Sequence, residues 1–199
     1  MARKSGSSGE KTARQLRQTA TRLFAQSGYA AVSMRQIARE VGVQAGALYL
    51  YTPDKQSLLF DLMDQHMKDL LTAWQNREQA NADSAIEQLE CFVRFHIRFH
   101  LPRADEVFIS YMELRNLTPE NFDVIQTARG AYEEILHDIL KAGQTDGRFK
   151  LVDTKIATFA IIAMLTGMNT WYRDEGRLSL EMVEEIYLDL VLSAAGTKD

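Results

Sequence analysis

A single cysteine, Cys91, excludes an intrachain disulfide and fits a reducing compartment. The most apolar stretch, Ala157–Met168, covers 12 residues and contains two threonines. That is short of the roughly 20 apolar residues a membrane span needs, so a buried helix is expected there instead. The charged start, Met1-Ala2-Arg3-Lys4, leads into no apolar core segment, so no signal peptide is expected and the location expected is cytoplasmic. Low complexity is confined to the Gly/Ser-rich first nine residues, which read as a flexible arm. Strand-like alternation is missing, and only three prolines occur.

What is present is ordinary globular material, 46% apolar and 25% charged, enough for a buried core. The net charge of −4 argues against a uniformly basic nucleic-acid binder, but it hides an asymmetry. Residues 1–60 hold nine Lys/Arg against Glu10, Glu40 and Asp54, a balance of +6, while residues 61–199 carry −10. A basic head on an acidic body points to a head that meets a polyanion. Chance fluctuation of solvated charge would give the same numbers, so the charge needs a motif beside it.

The periodicity is helical nearly throughout. A first helix is expected from about Lys11 to Gln26, ended by Gly28 as a left-handed cap. Ser33 caps a second to about Val41, which Gly42 breaks. A short helix over Gln44–Tyr51 follows, and after the Thr52-Pro53-Asp54 turn a long one over Lys55–Asn76. Five more are expected: from Asp83/Ser84, with Glu87 in capping-box spacing, to about His100; from Pro102 to about Arg115; from Thr118-Pro119-Glu120 to about Gly143; from Thr154, capped by Asp153, to about Arg173; and from Ser179 to about Ala195. All three prolines fall at helix starts. The fold class is all-α, about nine helices, with a small N-terminal three-helix bundle followed by a larger helical bundle.

Within the basic head, Ala38 offers a small residue at a close helix contact and Gly42 a tight turn four residues later. Ile37, Val41, Val43, Leu48 and Tyr51 are expected to seal the corner. This is the pattern of a helix-turn-helix over about residues 33–52, with Gln44 and Ala45 opening the helix that enters a major groove. Such a match over about 20 residues arises by chance often enough to need support, which the basic flanks supply.

The run Leu23-Phe24-Ala25-Gln26-Ser27-Gly28-Tyr29, then Val32-Ser33-Met34-Arg35-Gln36-Ile37-Ala38, Gly42-Val43, Gly46-Ala47-Leu48-Tyr49-Leu50-Tyr51, Lys55 and Leu58-Leu59 resembles the DNA-binding domain of TetR-family transcriptional regulators. The resemblance implies a DNA-binding domain over residues 10–70 and a ligand-binding and dimerisation domain over 71–199. It implies phosphate contacts by Tyr49, Tyr51 and Lys55, and contacts to backbone or a base edge by Ser33 and Arg35. Two positions depart from the family pattern: Gln44 stands where Ser or Thr is usual, and Thr52 where an aromatic is usual. A glutamine at Gln44 can pair bidentately with adenine, or it can merely solvate the helix end.

In the acidic body, Thr154–Arg173 is apolar on almost every side, and the last helix offers Leu180, Val183, Ile186, Tyr187, Leu190 and Val191. Two such helices from each of two subunits, about 154–173 and 179–195, would form the four-helix core of a homodimer, as TetR-like proteins do. Phe92–Leu101, Glu113–Asn121, Gly147-Arg148-Phe149 and Trp171-Tyr172-Arg173 are similar to a TetR subgroup that regulates fatty-acid and steroid catabolism in response to acyl-CoA thioesters. That resemblance implies a long apolar pocket, with His96, Phe99, Met112, Arg115, Met164, Met168 and Trp171 as candidate lining residues. The eight methionines suit an adaptable pocket, though at helical spacing they also suit an ordinary core. Arg115 or Arg98 could meet a phosphate or carboxylate, although a solvated or salt-bridged state is the commoner one for any single arginine.

The competing class is a helical enzyme or metal protein using the region of His96 and His100, four apart on one helix face as zinc-binding pairs are. No glutamate follows His96, and no third ligand is in register. Glu134-x-x-His137 has the spacing of di-iron bundles, but they need two such motifs and two further glutamates. No nucleophile elbow, P-loop or paired-carboxylate motif is present. The expectation is therefore a non-enzyme without cofactor or catalytic residues, whose partners are double-stranded operator DNA, a second copy of itself and a largely apolar effector.

Overall fold

In the computed structural model, residues 6–77 and 84–197 are described. The α-helices are α1 (Gly6–Ser27), α2 (Met34–Val41), α3 (Ala45–Leu48), α4 (Lys55–Asn76), α5 (Ala85–His100), α6 (Ala104–Met112), α7 (Pro119–Thr145), α8 (Thr154–Thr166) and α9 (Leu180–Ala195). Short 3-10 turns cover Leu101–Arg103, Leu114–Asn116 and Gly167–Thr170. No strand occurs among the described residues.

The chain divides into two compact units. The first contains the residues up to Lys68 together with Asp105–Gln126. Its core is one apolar cluster to which α1 gives Leu16, Ala20, Leu23 and Phe24, spaced as one helix face requires. Val32, Ile37, Ala38, Leu48, Leu58, Leu59, Met63, Ile109 and Ile125 complete it. The helix starts are set by local chemistry. Ser33 accepts from the Gln36 N–H at 3.2 Å and Asp54 from the Ser57 N–H at 2.7 Å. Gly28 and Gly42 both take φ +80°, the left-handed conformation that closes α1 and α2.

The second unit contains Asp69–Ala104 and Thr127 onward. Here Ser84 and Glu87 form a reciprocal capping box on α5, while Asp153 and Ser179 cap α8 and α9. Asp83, the other expected starter of α5, lies outside the described residues. Trp74 sets its ring edge against Phe92 and Phe95, with centroids 5.5 and 5.1 Å apart. Glu184 is fully buried on α9, and Arg98 of α5 holds its carboxylate through two hydrogen bonds of 2.6 and 2.7 Å. That carboxylate pushes the Arg98 guanidinium further above its ordinary value. The Lys150 N–H donates to Ala195 O, tying the segment after α7 to the end of α9.

Several expected boundaries move. The helix expected from Lys11 begins at Gly6, so the latter part of the presumed arm is helical. The helix expected over Gln44–Tyr51 is regular only over Ala45–Leu48 and winds on as hydrogen-bonded turns to Thr52. The helix expected from Pro102 to Arg115 is broken into two 3-10 turns around α6. The helix expected to reach Arg173 ends at Thr166, where Asn169 Nδ2 donates to Thr166 O and Thr170 Oγ1 donates to Gly167 O. Short polar side chains there take carbonyls that a continuing helix would need. In the other direction, α7 passes Gly143, which is buried beneath the Phe149 ring. A Cβ at Gly143 would lie 2.2 Å from Phe149 Cδ2, so this glycine serves a close approach rather than a helix stop.

Candidate nucleic-acid interface and effector cavity

The corner between α2 and α3 is closed by the Gly42 N–H donating to Ala38 O and Arg39 O, and by the Val43 N–H donating to Ala38 O at 3.0 Å. Ala38 is buried at this contact, and Ile37 and Leu48 are fully buried beneath it. Val41 and Val43 pack partly buried against the same core. The exception is Tyr51, expected to seal the corner but 37% exposed. Its place beneath the turn is taken by Thr52, which is buried and whose hydroxyl donates to Asp54 O at 3.1 Å. A buried hydroxyl needs such a partner, and Thr52 has one inside its own turn.

The packed corner leaves one face outward. Ser33 and Arg35 are exposed at the start of α2, Gln44 before α3, and Tyr49 and Tyr51 after it, with Ala45 half-buried. Gln44 makes no capping hydrogen bond with its side chain. Lys55, in contrast, is half-buried, with Nζ donating to Tyr29 O and Val32 O at 2.9 Å each and lying 4.1 Å from the centre of the Tyr29 ring. Two of its three N–H donors thus hold the loop between α1 and α2. Burial, and then the Asp54 carboxylate, push the Tyr29 phenol above its ordinary range.

The seven candidate effector residues fall in both units. Met112 and Arg115 belong to the first unit, where both are exposed. In the second unit His96, Phe99 and Met168 are buried, Met164 is half-buried and Trp171 is 50% exposed. Of these Trp171 lines a cavity of about 320 Å³, together with Tyr172, Arg173, Arg177, Leu178 and Val183. Its ring stacks with Tyr187 at 6.1 Å between centroids. The sequence pattern points to Trp171-Tyr172-Arg173 but not to Arg177 or Leu178, which reach the cavity from the irregular segment before α9.

His96 and His100 stack with ring centroids 4.0 Å apart. Both nitrogens of His96 are engaged, Nδ1 with the Tyr132 hydroxyl and Nε2 with Thr166 Oγ1, each at 3.2 Å, while His100 Nδ1 contacts His96 O at 2.8 Å. The pair is hydrogen-bonded core, and Tyr132 and Thr166 are partners no spacing had indicated. Glu134, His137 and Asp138 also come together. Within that group His137 bonds to Glu134 and Thr154 at 3.0 Å each, and Lys155 approaches Glu134, so the donors already serve one another.

Known proteins resemble both halves. A family model described as "Bacterial regulatory proteins, tetR family" matches residues 16–62, and one described as "Tetracyclin repressor-like, C-terminal domain" matches residues 82–195. The HTH-type transcriptional repressor KstR2 of Rhodococcus jostii is 27% identical over 190 residues, covering 94% of this chain and 92% of its own length. The crystal structure of a bacterial regulatory protein in the tetR family from Rhodococcus RHA1 superposes with a TM-score of 0.86 at 26% identity, covering 95% of this chain and 99% of that one. The structure of AibR in complex with isovaleryl coenzyme A and operator DNA superposes at 0.76 with 26% identity, covering 92% of this chain and 96% of its own.

Proposed function

The chain belongs to the TetR family of bacterial transcriptional regulators, and from that premise we propose that it binds a palindromic operator as a homodimer and is released by a largely apolar effector of the acyl-CoA type. It is a ligand-responsive DNA-binding regulator and not an enzyme. The observation that carries the reading is the corner at Gly42, which buries Ile37, Ala38 and Leu48 while turning Gln44, Tyr49 and Tyr51 outward.

On this reading residues 10–70 bind DNA and residues 71–199 sense the effector and dimerise, in the cytoplasm where the operator lies. Gln44 and Ala45 meet base edges, Ser33 and Arg35 meet backbone or a base edge, and the Tyr49 and Tyr51 hydroxyls meet phosphates. Lys55 acts from a fixed position: two of its donors hold Tyr29 O and Val32 O, which leaves the third for a phosphate.

Dimerisation is supported by the apolar residues left exposed on α8 and α9, namely Ile156, Phe159, Met182, Ile186 and Leu190. A self-complementary contact there would set two recognition segments roughly 34–36 Å apart, one turn of DNA. The acyl-CoA reading is supported by the AibR complex and by the Trp171 cavity, where an aromatic ring and two arginines suit a ligand with both apolar and anionic parts. Release follows if the ligand prefers the conformation that does not fit DNA, shifting the population away from the one that does.

The test has two stages. Native mass spectrometry of the purified protein should report a dimer, and any acyl ligand carried through purification. An operator selected from genomic fragments should then be bound in fluorescence anisotropy, and a series of acyl-CoA thioesters of increasing chain length titrated in. Loss of operator affinity with one or more of them supports the proposal. Unaltered affinity at saturating, independently verified binding would overturn the ligand-release mechanism and leave the DNA-binding assignment standing.

A further inference from the structure

We infer that Leu50 reads thymine by packing on its 5-methyl group, which makes it a specificity-determining residue alongside Gln44. The inference rests on the outward-facing segment after Gly42 being the part of the protein that enters the major groove. Leu50 is 81% exposed, more than Tyr49 at 55% or Tyr51 at 37%. A lone exposed leucine is unremarkable on most surfaces. This one differs in the face it shares.

Backbone bonds keep the chain winding beyond α3, with the Leu50 N–H on Ala47 O, the Tyr51 N–H on Leu48 O and the Thr52 N–H on Leu48 O. In such a winding Leu50 stands over Gly46 and Ala47, four and three residues back, while Leu48 and Thr52 point into the core. Gly46 and Ala47 bring no hydrogen-bonding side chain, and they are small enough to let the backbone come close to the groove floor. From Ala45 to Ala47, then, the outward surface carries no side chain that can donate to or accept from a base edge, and the side chain that stands over it, Leu50, is aliphatic. Among the base edges of the major groove, the group that rewards such a side chain is the thymine methyl. The occupant of the Leu50 surface is therefore a thymine in each half-site.

The test uses the full-length protein and its selected operator. Each thymine is replaced singly by uracil, which removes the methyl and leaves the hydrogen-bonding groups unchanged. Wild type is expected to lose about fourfold in affinity at one or two positions per half-site, the value of one buried methyl. Leu50→Ala is expected to bind the unmodified operator more weakly and to be indifferent to uracil at those same positions. It should keep the wild-type melting temperature and salt dependence, since Leu50 packs on no core and meets no phosphate. If Leu50→Ala retains the full uracil penalty at every position, the inference is wrong and the methyl, if read, is read elsewhere. If Leu50→Ala binds too weakly to titrate, Leu50→Met, which keeps an apolar tip, must restore binding and the penalty; failure to do so also overturns it. A protein that selects no operator at all would instead refute the DNA-binding reading on which this rests.

Discussion

The Glu113 carboxylate accepts the backbone N–H of Tyr29 at 3.0 Å, across 84 residues of sequence within the first unit. Glu113 is buried, and its second oxygen accepts the Asn116 side-chain amide. The carbonyl of Tyr29 is meanwhile held by Lys55. Tyr29, which follows α1 on the way to the helix-turn-helix corner, is thus held through both its N–H and its carbonyl.

Glu113→Ala should therefore leave the Tyr29 N–H and the Asn116 amide without their acceptor, at a cost of about 1–3 kcal/mol. Glu113→Gln keeps one acceptor oxygen and should cost less. Urea denaturation midpoints rank the three proteins. Equal stability of Glu113→Ala and wild type would show that water replaces the carboxylate.

Asp54 caps α4, and the Ser57 backbone N–H holds its carboxyl below the ordinary value. Asp54→Ala should cost about 1 kcal/mol at neutral pH. Because the folded-state value is depressed, the stabilisation is fully present above the unfolded value, and it fades as pH falls through the folded one. The gap between wild type and Asp54→Ala should be constant down to about pH 4 and close below it. A gap independent of pH down to acid unfolding would argue against a charged cap.

Phe159 and Ile186 are the test of the uncovered faces of α8 and α9. Both are about half exposed, at 45% and 46%, so Phe159→Asp or Ile186→Glu should leave the fold intact. Sedimentation at micromolar concentration should shift from dimer to monomer, and operator affinity should fall at least tenfold as the second recognition segment is lost. A variant that remains dimeric would place the self-association elsewhere.

Gln44 is exposed and caps nothing, so its side chain is available for a base. Gln44→Ala should relax preference at one adenine per half-site, with a loss of about 1–3 kcal/mol on the preferred operator. An unchanged operator preference would reduce Gln44 to solvating the turn.

Legibility followed distance along the chain. Ser33, Gly42, Asp54, the Ser84/Glu87 pair, Asp153 and Ser179 all marked helix ends in the sequence, and each holds that place. The break after Thr166 has no mark in the sequence, because Asn169 and Thr170 act on the helix from inside an otherwise apolar run. The sequence puts the end of α7 near Gly143, a glycine that lies inside the helix. Its real partner is Phe149, and the two meet only once the chain has turned at Gly147, where φ is +71°.

The residue order alone determined an all-helical chain, its caps and the spaced helix-turn-helix, because each depends on contacts between residues a few positions apart. Tertiary packing decided the rest. It turned the Lys55 ammonium onto carbonyls 23 and 26 residues away, brought Asp105–Gln126 to the N-terminal unit, buried Thr52 in place of Tyr51 and left Leu50 in solvent. Those outcomes turn on which packing of distant segments has the better fit of shape and charge, and no local pattern encodes that competition.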